Sequence, residues 1–279
     1  MKKYISLLFT TLILLSSCLL NNNSGEIDAG DDPNFTIVAN TDTDFKKFNR
    51  KIVVFGIDIY AVPKVDDANL LHAANVMAQY LDNDEDSIPD NQAVLDKMIE
   101  EKAYMIMWNR QSELLWLTPP EERTGQDLGN AETQANFVSG GKIGRFDAAL
   151  EEVLHIITHA GYSKVYPDVF GENAGSLIAT AMDSARGDQF TSIPASYPDS
   201  AWYTYRDMSC GYSCQITEYT YWALTSILGA QENRLDDIDN EWKLNTKDKV
   251  EAGDKTVYDL LTNPKYKLPS VLPDGSYRH

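Results

Sequence analysis

Glu151-Glu152-Val153-Leu154-His155-Ile156-Ile157-Thr158-His159 places two of the chain's four histidines directly behind two adjacent glutamates. Two imidazoles at a spacing of four residues stand one helical turn apart, about 5–6 Å, and at that separation both can reach one zinc ion. On a helix advancing about 100° per residue, Glu151, His155, His159 and Glu152 share one face. The opposite face is apolar, with Leu150, Val153, Leu154, Ile156 and Ile157. A second reading of the same residues is two Glu–His pairs on a solvated helix, worth about 0.2–0.5 kcal/mol each. Downstream, the stretch Thr217-Glu218-Tyr219-Thr220-Tyr221-Trp222 puts a further carboxylate, Glu218, on another helical segment.

The stretch resembles the active-site helix of the gluzincin metallopeptidases, with Glu151 in place of the first histidine of His-Glu-x-x-His. Glu152 then stands three residues before His155, where the general base of that motif stands relative to its second histidine. Glu218 matches the downstream glutamate that supplies the third zinc ligand in that group. The resemblance implies a zinc centre drawing on His155, His159, Glu218 and Glu151, with Glu152 as base and a protein or peptide as substrate. It also implies a mixed sheet followed by an active-site helix and a helical lower half. One departure matters: Ile156 occupies the usual place of the base. If Glu152 does not take the proton from metal-bound water, hydrolysis is poor. The competing expectation is then a non-catalytic, calcium-binding surface lipoprotein in which the histidine pair serves structure or adhesion.

A second cluster is acidic. Asp82-Asn83-Asp84-Glu85-Asp86-Ser87-Ile88-Pro89-Asp90 carries carboxylates at loop positions one, three, five and nine. Calcium takes about 6–8 oxygens, and loops of this type supply them at those positions and from the backbone carbonyl at position seven, here Ile88. The spacing resembles thrombospondin type 3 and dockerin-like calcium loops. It departs at Ser87, where those loops carry glycine, and Ala93 stands where a full EF-hand has its bidentate glutamate. The expected ligands are Asp82, Asp84, Asp86, Asp90 and the Ile88 carbonyl, with calcium holding the fold together.

Residues 1–17 read as a secretory leader: Lys2 and Lys3, an apolar run too short to cross a membrane, then Leu15-Ser16-Ser17-Cys18. That end resembles a bacterial lipobox, which implies cleavage before Cys18, lipidation of its thiol and anchoring in a membrane. Leu19 follows the cysteine, which by the enterobacterial sorting rule points to the outer membrane or cell surface. Residues 18–44 read as a polar tether, and 45–279 as one globular unit. A formal net charge of −18, from 24 basic and 42 acidic residues, argues against nucleic acid and against adsorption to anionic lipid. In an oxidising compartment the two remaining cysteines, Cys210 and Cys214, are expected to form a short-loop disulfide, with a metal-binding thiol pair as the alternative.

The elements that must position these groups follow from pattern. Arg50 to Val62 is β-branched and apolar and reads as a strand, and Ala103–Trp108 and Glu113–Leu117 as short strands. Apolar residues at helical spacing predict helices before and after the acidic loop, with Asp66 or Asp67 as the first cap. Thr118 to Gly144 reads as a long polar loop, a length that tends to be functional. From Arg145 the chain turns helical, with one helix closed by Gly161, one ending at Gly187 and one from Tyr212 to Gly229. The expected class is α+β, with a small mixed β-sheet and helices in residues 45–144 and a helical half in 145–279.

Overall fold

The computed structural model describes residues 34–115, 117, 120 and 122–278. The leader, Cys18 and most of the expected tether lie outside the described residues. The fold is α+β: a five-stranded mixed sheet with helices packed against it and a helical half beyond.

The sheet runs in chain order, β1 (Val38–Ala39), β2 (Arg50–Val54), β3 (Ile57–Ala61), β4 (Tyr104–Trp108) and β5 (Gly125–Gly129). β1, β2 and β3 pair antiparallel; β3, β4 and β5 pair parallel. The run from Arg50 to Val62 is therefore two strands and not one. Phe55 and Gly56 both take positive φ, 47° and 91°, the geometry of a two-residue hairpin turn. With apolar Phe55 beside it, Gly56 is the one turn-forming residue at the break, and composition alone hides it.

Two further expectations are overturned. Glu113–Leu117 is not a strand: Gln111–Leu115 forms a 3-10 turn. The Glu113 carboxylate accepts the Asn109 and Arg110 amides at 2.9 and 3.1 Å, which caps that turn from within. The long polar segment from Thr118 contains β5. Backbone pairing to β4, Met105 opposite Gln126 and Met107 opposite Leu128, makes a strand of residues with weak strand preference.

α1 (Asp67–Leu81) and α2 (Gln92–Glu100) flank the acidic loop. α1 packs on β2 and β3 and against α3 (Ala149–Ile157), and α3 also lies along β4 and β5. That places α3 in the middle of the molecule with Leu150, Val153, Leu154, Ile156 and Ile157 all buried. Asp147, fully buried, fixes the start of α3: its carboxylate accepts the Ala149 amide at 3.2 Å and faces His72 Nε2 at 2.6 Å.

Gly161 does not close the helix. A π-helical turn, Thr158–Tyr162, carries the chain on into a further short helix, Ser163–Val165. A Cβ at Gly161 would stand 2.6 Å from Val94 Cγ1, so this glycine serves close packing against α2. Downstream, α4 (Leu177–Arg186) ends at left-handed Gly187, as its pattern predicts, and starts at a Ser176 cap whose side chain accepts the Ala179 amide. α5 (Tyr212–Ile227) crosses α3, followed by α6 (Lys247–Gly253) and α7 (Lys255–Leu261).

Candidate metal centre

A cleft of about 240 Å³ opens where α3, the π-turn, β5 and the first turns of α5 meet. His155, His159, Glu172 and Glu218 line it, with Gln126 from β5 and Cys214 and Thr217 from α5. The helix face expected to be polar is thus turned inward, and the apolar face is packed on the sheet.

His155 is only 6% exposed. Its Nε2 is buried and has no hydrogen-bond partner. Glu218 Oε2 stands 3.6 Å from that nitrogen, beyond hydrogen-bond reach. Two ligands each about 2.0–2.1 Å from a tetrahedral zinc lie about 3.4 Å apart, so the separation suits a shared cation. On its other side, His155 Nδ1 is 3.4 Å from Glu152 Oε2, and Gln126 Nε2 donates to the same Glu152 carboxylate. Tyr221 stands edge-on to the imidazole, ring centroids 5.6 Å apart.

The electrostatics follow from burial and crowding. Burial resists a charge on His155, but Glu218, Glu152 and Glu151 outweigh it and raise its pKa to about 9. Burial pushes the Glu151 carboxyl up to about 8, with His155 opposing and Glu218 adding to the rise. The Glu218 carboxyl is raised as well, chiefly by burial, although His155 and a hydrogen bond from Tyr205 act against it. Three acids around one imidazole leave a local excess of negative charge.

His159 sits differently. Its side chain is 45% exposed, and its Nδ1 meets Glu172 Oε2 at 2.6 Å. Glu172, buried at 9%, takes a second hydrogen bond on Oε1 from Thr217 of α5 at 2.7 Å. Ligand atoms within 4.8 Å of one another form three groups among the described residues. These are Glu151, Glu152 and His155; Asp82, Asp84 and Asp86; and Cys210, Cys214 and Glu218. His155, His159 and Glu218 do not gather so tightly. The widened π-turn replaces the one-turn stack that an uninterrupted α-helix would give the two imidazoles.

Cys210 and Cys214 form a disulfide with Cα atoms 5.3 Å apart. It bridges the chain just before α5 to that helix's first turn, and Cys214 faces the cleft beside Glu218.

In the acidic loop, Asp82, Asp84 and Asp86 converge, while Asp90 turns its carboxylate to the Asn83 amide at 2.7 Å. Asp82 is fully buried and accepts from the Asp86 and Ser87 amides at 3.2 and 2.8 Å and from Tyr277 Oη at 2.5 Å. Ser87 has φ of 73°, the left-handed geometry that favours glycine. Asp84 is exposed, and desolvation by its neighbours together with the carboxylates of Asp86, Asp90 and Asp82 raises its pKa. The Ile88 side chain is exposed, and its amide donates to Asp86 at 2.9 Å.

Glu172, Gln126 and Thr217 are the cleft residues that sequence reasoning missed. Glu172 lies thirteen residues past His159, beyond a helix break at Tyr166-Pro167, so no periodicity links the two. Gln126 sits in a segment read as loop. No family model, curated protein or solved structure matches the chain.

Proposed function

We propose that this chain is an exported lipoprotein anchored through Cys18, with a zinc centre in the α3–α5 cleft and peptidase-type hydrolytic chemistry, stabilised by calcium at the acidic loop. The observation that carries the zinc reading is His155 Nε2, buried, unpartnered and 3.6 Å from Glu218 Oε2. A buried imidazole edge facing an acid without a hydrogen bond is costly unless a cation joins them. In this reading His155 and Glu218 would hold the metal, and His159, which lines the same cleft without gathering with them, would complete the set by turning inward. When bound, such a cation acidifies water and polarises a carbonyl. Of the two carboxyl groups gathered beside His155, Glu152 is the one that would take a proton, because burial keeps Glu151 protonated up to about 8. Glu152 also steadies the imidazole from its Nδ1 side. The open cleft suits an extended peptide segment.

Calcium at the loop is supported by convergence of Asp82, Asp84 and Asp86 and by glycine-like geometry at Ser87. One observation favours the non-catalytic reading: Ile156, where the motif carries its base, is 1% exposed in the core.

The test is zinc and calcium content of the purified protein, followed by cleavage of an unstructured protein substrate by wild type, Glu152→Gln and Glu151→Gln. One zinc per chain and cleavage lost in one of the two variants support the peptidase. Zinc without cleavage leaves a metal-binding lipoprotein. Absence of zinc from protein refolded in its presence removes the centre altogether.

A further inference from the structure

Glu172 belongs to no motif in the sequence, yet it makes the shortest polar contact at the cleft that involves a histidine, 2.6 Å to His159 Nδ1. We infer that Glu172 is a positioning residue: it fixes His159 as the Nδ1–H tautomer and turns Nε2 into the cleft as an unprotonated ligand. This rests on the reading of His159 as a zinc ligand.

The chemistry is directional. A carboxylate only accepts hydrogen bonds when ionised, so a neutral His159 facing it must carry its proton on Nδ1. The remaining nitrogen, Nε2, is then the one with a free lone pair. An acid or carbonyl on the far nitrogen of a metal-binding histidine sets ring orientation and raises its basicity, and losing it weakens metal binding by about 10–100-fold. Glu172 is itself well held. It is buried at 9%, and Thr217 Oγ1 donates to its other oxygen at 2.7 Å. Thr217 is the residue before Glu218 on α5. One carboxylate therefore ties the His159 imidazole to the helix that presents Glu218, so the two ligand arms move together.

His155 repeats the arrangement in looser form. Its Nδ1 faces Glu152 at 3.4 Å and its Nε2 faces the cleft. Each histidine thus has an acid behind Nδ1. The exposed one, His159, has the shorter contact. That is where an orienting bond is most needed, because solvent otherwise leaves the ring free to rotate.

The test has two arms. Nitrogen-15 NMR of the metal-free protein at about pH 8 reads the His159 tautomer, and competition with a chromophoric chelator reads zinc affinity. In wild type, His159 carries its proton on Nδ1. In Glu172→Ala the Nε2–H tautomer appears and zinc binds about 10–100-fold more weakly. Glu172→Gln, which keeps an acceptor oxygen, recovers part of the affinity. Thr217→Val shifts affinity in the same direction by less and controls for misfolding of the alanine variant, as does its melting curve. A wild-type His159 protonated on Nε2, or a folded Glu172→Ala protein with unchanged tautomer and affinity, overturns the inference. Wild type that binds no zinc removes the ligand reading of the site instead, and the tautomer arm then decides the Glu172–His159 relation alone.

Discussion

His155 Nε2 and Glu218 Oε2 face each other at 3.6 Å across the interface of α3 and α5, with the imidazole edge buried and without a hydrogen bond. Their positions, sixty-three residues apart in the chain, are set by helix packing and by the disulfide at the start of α5.

In the metal-free protein this cluster makes stability fall as pH rises. His155, with its pKa raised to about 9, contributes ion-pair stability that is fully present below its unfolded value of about 6.5 and is lost as pH passes 9. Glu151, held protonated to about 8 by burial, adds to the loss because its ionised form is disfavoured in the folded state. Thermal melts of metal-free protein should therefore drop from about pH 4.5, where unfolded Glu151 begins to ionise, to about pH 9, where folded His155 loses its proton. Glu218→Gln should flatten the profile by removing the nearest acid from His155. A metal-free protein more stable at the alkaline end contradicts the arrangement.

At the acidic loop, chelation of calcium should lower the melting temperature, since binding only the folded state stabilises it. Ser87→Gly relieves left-handed strain and should stabilise by about 1 kcal/mol. Tyr277→Phe removes the 2.5 Å bond to buried Asp82 and should destabilise by about 1–3 kcal/mol. Calorimetry with and without chelator measures all three. Identical melts of wild type in both conditions would count against calcium.

Gly161→Ala tests the π-turn. The new methyl would meet Val94 Cγ1 at 2.6 Å and Met98 Cγ at 3.2 Å. Overpacking of this kind costs about 1–3 kcal/mol. Denaturant unfolding should show the loss, and Val94→Ala in the same chain should recover part of it.

The Cys210–Cys214 loop is short, with a separation of four residues. Its chain-entropy contribution is about 2 kcal/mol. Reduction, or the double change to serine, should lower stability by about that much. It should also weaken zinc retention, because the bridge holds the turn of α5 that carries Thr217 and Glu218. Unchanged chelator competition after reduction would separate the disulfide from the site.

Much of this was legible from residue spacing. Local patterns are enough to set the helices of 67–81, 92–100, 177–186 and 212–227, the Gly187 end, the α+β class and the pairing of Cys210 with Cys214. Helical periodicity and caps act within a few residues, and with only two cysteines beyond Cys18 there is one internal pairing to make. The alternation of aspartates likewise announces the convergence of Asp82, Asp84 and Asp86, because neighbouring residues in a tight loop have few ways to turn, but Asp90, expected to join them, accepts the Asn83 amide instead.

The rest was decided by contacts distant in sequence. β5 exists because β4 offers a ladder edge, not because Gly125–Gly129 favours strands. Gly161 extends a helix because α2 lies too close for a side chain. Whether the Glu-Glu-His-His face met water or the interior depended on α5 and β5 closing over it. The pairing of His159 with Glu172 required a chain reversal that no periodic pattern encodes. Sequence determined which groups share a helix; only packing determined which carboxylate stands behind each imidazole and which nitrogen is left to face the cleft.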